Sequence, residues 1–169
     1  MNIAVCVKQV PNTAKMRIDP DSNTLIREGV DAVLNPLDEF PLEAALRLRE
    51  TVGGTVTVFT MGPPQAKDVI HKTIAMGADT GYLLSDKKFA GSDTWATSII
   101  LSSVLRQHGP FDLILCGKQA IDGDTGQVGP GIAAHLNIPG VTFITDIAPA
   151  TAADKNDKLF VRRMLEEMT

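Results

Sequence analysis

Short, unbroken apolar runs alternate along this chain with longer segments whose apolar residues recur at helical spacing. NIAVCVKQV and TVTVFTM are brief and rich in β-branched residues, so each predicts a buried strand, and TGYLLSD and DLILCG read as a third and a fourth strand. In LDEFPLEAALRLRETVGG, Leu42, Ala45, Leu46 and Leu48 form one apolar stripe. That segment predicts a helix with Asp38 as N-cap, Pro41 in the first turn and Gly53 as the stop. GPPQAKDVIHKTIAMGAD reads as a helix opened by proline and closed by Gly77. SDTWATSIILSSVLRQHG reads as a helix that starts at Ser92 or Asp93 and ends at Gly109, and QVGPGIAAHLN as a short fourth helix. GVTFITDIA is expected to be a fifth strand. Two hairpin excursions complete the pattern. One is KMRIDPDSNTLIRE around the turn cluster DPDSN, and in the other KLFVRR pairs back through ADKND. Strands alternating with amphipathic helices predict an α/β fold, a doubly wound parallel sheet covered on both faces. Residues 1–169 are expected to form a single domain.

In such a sheet, ligands sit beyond the carboxyl ends of the strands where the strand order switches. The stretches VKQVP, TMGPP and GKQAIDGDTGQVGP follow the first, second and fourth strands. The third is the richest. Gly123 and Gly126 allow close backbone approach or a sharp turn. The N–H groups of Gly126, Gln127 and Val128 would stand at the start of a helix, where free donors and the helix dipole favour an anion. Asp122 and Asp124 would cap backbone groups or meet a hydroxyl such as that of a ribose. Two readings stay open on this chemistry, a glycine-rich strand–helix connection and an anion cradle. Met61 and Asn35 are similarly divided between nucleotide contacts and ordinary Gly-Pro and Asn-Pro turns. There is no G-x-x-x-x-G-K-[ST] loop, and no G-x-G-x-x-G follows the first strand.

Composition narrows the classes further. A net charge of −4 gives no general attraction to nucleic acid or to an anionic membrane surface. Aromatic residues at 5% argue against a base-stacking platform. No apolar stretch approaches the roughly 20 residues that span a bilayer, so membrane insertion is not expected. Cys6 and Cys116 each lie inside an apolar run and are expected to be buried, reduced thiols, which suits a cytoplasmic protein. His71, His108 and His135 fall on helices or helix ends and read as surface or cap residues; Trp95 and Met76 read as packing residues. Neither a catalytic triad nor a metal cluster is suggested by the spacing.

VKQVP, NPLDEFPLEAALRLRE, MGPPQA, AMGAD, DTWAT and LCGKQAIDGDTGQVGP occur in that order. Together they resemble the β subunit of electron transfer flavoproteins, in the FixA-like or bifurcating form, from the first strand to about Asp146. The resemblance implies an adenine nucleotide α-hydrolase-like fold. It also implies an α subunit as partner and, through the complex, a dehydrogenase or quinone reductase. The chain would be an electron-carrier subunit, not a self-sufficient enzyme. Matching motif positions implicates Cys6, Asn35, Pro36, Leu37, Asp38 and Met61 in holding AMP or the AMP part of FAD. The loop adds Gly117, Lys118, Gln119, Ala120, Ile121, Asp122, Gly123, Asp124, Thr125, Gly126, Gln127 and Val128, the last three meeting phosphate. SDTWAT resembles the FAD-bearing version, which favours FAD over AMP and adds Asp93, Thr94 and Thr97. Members of the family run on into further strands and a C-terminal arm that embraces the α subunit. A chain ending at VRRMLEEMT is therefore expected to be C-terminally short. The alternative is a stand-alone adenine-nucleotide-binding protein of the stress type, without a redox role.

Overall fold

A computed structural model describes residues 1–12, 17–18, 25–26, 32–150 and 159–164. Strands β1 (Asn2–Cys6), β2 (Gln9–Pro11), β3 (Arg17–Ile18), β4 (Leu25–Ile26) and β5 (Ala32–Leu34) precede helix α1 (Pro36–Val52). Then come β6 (Thr55–Met61), α2 (Lys67–Met76), β7 (Thr80–Leu84), α3 (Thr94–His108), β8 (Leu113–Cys116) and α4 (Val128–Leu136). Strands β9 (Ile144–Pro149) and β10 (Leu159–Arg163) come last.

Four of these strands form a parallel sheet in the order β7-β6-β1-β8. Successive residues of β1 point to opposite faces, and both faces are buried. Ile3, Val5 and Val7 pack with Leu42, Ala45, Leu46 and Leu48 of α1 and Val69 of α2. Ala4 and Cys6 pack with Leu101 and Leu105 of α3 and Ile132 of α4. The continuous apolar runs are thus explained, because a central parallel strand has no solvent face. The chain adds β6 and β7 on one side of β1 and then returns to place β8 on the other. The switch in strand order therefore lies between β1 and β8, with α1 and α2 on one face and α3 and α4 on the other.

The predicted fifth parallel strand is corrected. β9 pairs antiparallel with β10, with Ile147 opposite Val161, in a separate two-stranded sheet. Most of its positions are exposed. Thr145 and Asp146 interrupt its apolar run, so it lacks the two-sided burial that a parallel strand requires. Pairing between 17–18 and 25–26 matches the first hairpin excursion, while its DPDSN turn and the ADKND turn of the second lie outside the described residues.

Helix α1 starts at Pro36, so Asp38 is not its N-cap. The fixed φ of proline and its missing N–H suit the first helical position, which moves the cap to Asn35. Pro41 accordingly lies inside the helix, past the first turn. Its missing N–H leaves the carbonyl of Leu37 without its usual partner four residues on. Asp93 does cap α3, accepting from the Ala96 N–H at 2.8 Å. Met76 packs against the core, and His71 and His108 are exposed. Trp95 is a second correction: it is 67% exposed and meets the His135 ring edge-on at 4.7 Å, instead of packing inside. His135 is half-buried, and its Nε2 is a buried atom without a hydrogen-bond partner.

Helices α3 and α4 are pressed together where Gly131 meets Ser98. A Cβ at Gly131 would collide with Ser98 Oγ and lie 2.8 Å from Ser98 Cβ. Gly131→Ala is therefore expected to lower unfolding stability in urea by about 1–3 kcal/mol, despite the better helix propensity of alanine. Adding Ser98→Gly should recover most of that loss.

Candidate functional site

A cavity of about 330 Å³ opens at the switch point. Its floor is formed by the last residues of the two strands that flank the switch, Cys6 and Cys116, which are register partners. Val7 and Lys8 continue from β1, and Met61 closes β6. Ser92, Asp93, Thr94, Thr97 and Leu101 come from the start of α3. The loop between β8 and α4 supplies the largest part of the wall.

The chain around Asn35 sets the shape of that loop. Asn35 is fully buried, and its backbone N–H donates to the Lys8 carbonyl at 2.9 Å. Its side-chain amide donates to the Gln119 carbonyl at 2.9 Å and accepts from the Ile121 N–H at 3.2 Å. Beside it, the Lys8 N–H donates to the Asp38 carboxylate at 2.8 Å. Gly117 sits directly over this first turn of α1. A side chain there would collide with the Asp38 carboxylate and lie 2.8 Å from the Leu37 carbonyl, the one that Pro41 leaves free. Glycine at 117 is thus required by close approach.

The rest of the loop is held from within and from above. Gly123 and Asp124 turn back onto the Ala120 carbonyl, and Asp124 accepts from the Gln119 side chain at 2.8 Å. Asp124, with φ of 51°, takes the left-handed conformation, whereas a Cβ at Gly123 would meet nothing within 4 Å. The left-handed position of this turn is thus Asp124, whose side chain the Gln119 bond holds in place. Gly126 also has positive φ, 62°, and a Cβ there would lie 3.3 Å from the Lys118 carbonyl. Lys8 Nζ bridges to Asp122 at 2.8 Å across the loop base, and Lys118 Nζ lies 5.4 Å from the centre of the Phe143 ring.

Seventeen of the positions picked from sequence line the cavity: Cys6, Asn35, Asp38, Met61, Asp93, Thr94, Thr97, Gly117, Lys118, Gln119, Ala120, Gly123, Asp124, Thr125, Gly126, Gln127 and Val128. Pro36, Leu37, Ile121 and Asp122 do not. Pro36 is exposed, and Leu37 turns its carbonyl toward Gly117. The Ile121 N–H is bound by Asn35, and the Asp122 carboxylate by Lys8. Sequence reasoning singled out neither Lys8 nor Cys116, Leu101 or Gly129 as lining residues. The position of Cys116 at the end of the fourth strand, matching Cys6 at the end of the first, was the signal that could have found it.

The start of α4 faces the cavity. Gly126, Gln127, Val128 and Gly129 all line it, and the Gly131 N–H is the one that reaches back to the Gln127 carbonyl, at 2.9 Å. Donors ahead of that bond have no intrahelical acceptor, and the helix dipole is positive there. Thr94 Oγ1 donates to Gln127 Oε1 at 2.9 Å, tying this end of α4 to the start of α3. The arrangement can hold an anion against backbone donors. No group of three or more His, Cys, Asp or Glu side chains among the described residues is placed to hold a metal ion. No helix among them is long and apolar enough to cross a membrane.

Two ionisable groups in the wall are perturbed. Burial pushes the Asp38 carboxyl up to about 6, against the lowering effect of the Lys8 N–H, the Asn35 side chain, the charge on Lys8 and the Gly117 N–H. The Cys6 thiol is pushed well up by its hydrogen bond with Cys116 and by burial.

The model of the electron transfer flavoprotein domain matches residues 22–168. The chain belongs to the electron transfer flavoprotein family. It is 52% identical over 167 residues to the electron transfer flavoprotein subunit beta of Thermoanaerobacterium thermosaccharolyticum, covering 99% of this chain and 62% of that one. It is 51% identical over 158 residues to Protein FixA of Azotobacter vinelandii, covering 92% and 56%. It is also 51% identical over 168 residues to the Caffeyl-CoA reductase-Etf complex subunit CarD of Acetobacterium woodii, covering 99% and 62%. This electron transfer flavoprotein chain thus spans 56–62% of the length of these three relatives.

Asp38 makes the stability of this flavoprotein-family chain depend on pH in a defined direction. Its folded pKa, about 6, lies above its ordinary value of 3.8. The folded state therefore binds the extra proton, and the stabilisation is full below pH 3.8 and is lost as pH rises through 6. Comparing the wild type with Asp38→Asn by urea unfolding, the difference should move in favour of the wild type by about 1 kcal/mol between pH 7 and pH 5.

Proposed function

We propose that this cavity holds the AMP portion of an adenine nucleotide, FAD in preference to free AMP. In this reading the chain is the nucleotide-bearing β-type subunit of an electron transfer flavoprotein. With an α subunit it would pass electrons between a dehydrogenase or NADH and an acceptor such as a quinone reductase, in the cytoplasm. The observation that carries the proposal is the row of backbone donors from Gly126 to Gly129, facing a cavity at the sheet's switch point.

The residues fit such a group. A volume of about 330 Å³ suits a mononucleotide, at the small end of the roughly 300–1,000 Å³ range of ligand pockets. The N–H groups at 126–129 would take phosphate, and Gly126 gives them their approach. The Asp124 carboxylate and the Thr125 hydroxyl offer polar contacts of the kind a ribose uses. Met61 and Leu101 offer apolar surface for a base. Asp93, Thr94 and Thr97, which also line the cavity, are the groups available to a larger nucleotide. When bound, FAD would supply the redox chemistry, taking a hydride from an NADH-type donor and passing electrons on singly. The chain's own part is to bind, orient and shield. The loop fixes the donors, Asn35 fixes the loop, and α3 walls off the side.

The test is direct. Purified protein, with and without a co-expressed α subunit, is denatured, and the released nucleotide is identified by chromatography; calorimetry then gives the affinities for FAD and AMP. FAD is the expected ligand. Protein that binds neither compound would overturn the proposal. Gly126→Ala should weaken binding at least about tenfold, because an L side chain is strained at this φ and displaces the donors; a penalty near 1.4 kcal/mol corresponds to that factor. An unchanged affinity in a folded Gly126→Ala protein would remove the cradle from the argument.

A further inference from the structure

The cavity floor carries thiol chemistry besides its part in the wall. Cys6 and Cys116 end adjacent parallel strands as direct register partners, and both line the cavity. Both side chains belong to the face covered by α3 and α4. Neither is engaged in a disulfide. They are the only two cysteines of the chain.

We propose that Cys6 and Cys116 form a redox-active dithiol at the floor of the cavity. A hydroperoxide closes it to a cross-strand disulfide, and an occupied nucleotide site shields it. The shielding rests on the nucleotide reading above; the dithiol itself does not.

The register sets the two cysteines side by side. Neighbouring strands lie about 4.7–4.9 Å apart. Register partners therefore fall within the roughly 4.4–6.8 Å Cα separation found across disulfides. Gly129, in the first turn of α4, comes close over Cys116, where its Cβ position would lie 3.4 Å from Cys116 Cβ and 3.8 Å from Sγ. Cys116 is therefore covered from above by α4, and the cavity is the opening that both cysteines share.

The roles of the two sulfurs follow from their surroundings. Cys6 is buried while Cys116 is half-buried, so Cys116 is the sulfur that peroxide reaches first. The Cys116 thiolate displaces water from hydrogen peroxide, with a proton taken up by the leaving oxygen, and becomes a sulfenic acid. Cys6 then attacks the Cys116 sulfur and gives up its proton, and the sulfenic oxygen leaves as a second water. Two thiols and one peroxide become one disulfide and two waters, the thiols losing two electrons and the peroxide gaining them.

The experiment uses the purified chain freed of nucleotide and exposed to hydrogen peroxide. A non-reducing peptide map, made after denaturation and alkylation of free thiols, reads the product. The expected product is a linked peptide holding both cysteines, lost on treatment with a dithiol reductant and absent from Cys6→Ser and Cys116→Ser proteins. AMP at about ten times its Kd should slow the linkage about tenfold, because only the empty fraction reacts. AMP occupancy is measured by calorimetry in the same buffer. Cysteines that stay alkylatable, or that carry sulfinic acid without any linked peptide, overturn the dithiol. Linkage at full speed with AMP demonstrably bound overturns the shielding. Linkage in protein that fails to bind AMP or FAD overturns the nucleotide reading and leaves the dithiol standing.

Discussion

One buried amide, that of Asn35, joins the three pieces of chain from which the cavity is built. Its backbone reaches the exit of β1 at Lys8, its side chain reaches Gln119 and Ile121 in the loop after β8, and its position heads α1. A fully buried side chain that can donate and accept is costly unless both ends are met. Here the partners are backbone groups, so the interaction specifies the path of the loop and leaves its side chains free. Asp38, one helical turn's reach away, does the same for the Lys8 N–H at the expense of a carboxylate held in apolar surroundings.

The sheet supplies the other half of the construction. Because β6 and β7 are added on one side of β1 and β8 on the other, the chain leaves β1 and β8 in a region that no crossover helix fills. The same topology that buries both faces of β1 opens the cavity at its end. Fold and site are consequences of one winding rule, and a substitution that loosens the packing of α3 against α4 at Ser98 and Gly131 would be felt in the cavity wall.

Much of this was legible from residue pattern. The four strands of the parallel sheet, the helix stops at Gly53 and Gly77 and the Asp93 cap are local features, governed by periodicity and capping chemistry, and each stands where the sequence places it. The loop's importance was legible too, from its glycines and its place after a strand. The misreadings share a cause, which is long-range competition. Asp38 looks like a cap but is claimed by Lys8, far off in sequence. Ile121 and Asp122 look like part of the cradle but are spent on Asn35 and Lys8. The fifth strand is the exception: KLFVRR pairs back on it as the sequence suggests, and that local hairpin takes the place of the parallel sheet. Cys116 was passed over because the register that sets it beside Cys6 is a tertiary fact.

The loop after β8 is bonded to its own residues and to the scaffold at Asn35, Gln119 and Asp124. A guest therefore meets donors that are already aimed, and little conformational freedom is surrendered on arrival. For any ligand of this site, differences in affinity would then lie mostly in the rate of leaving.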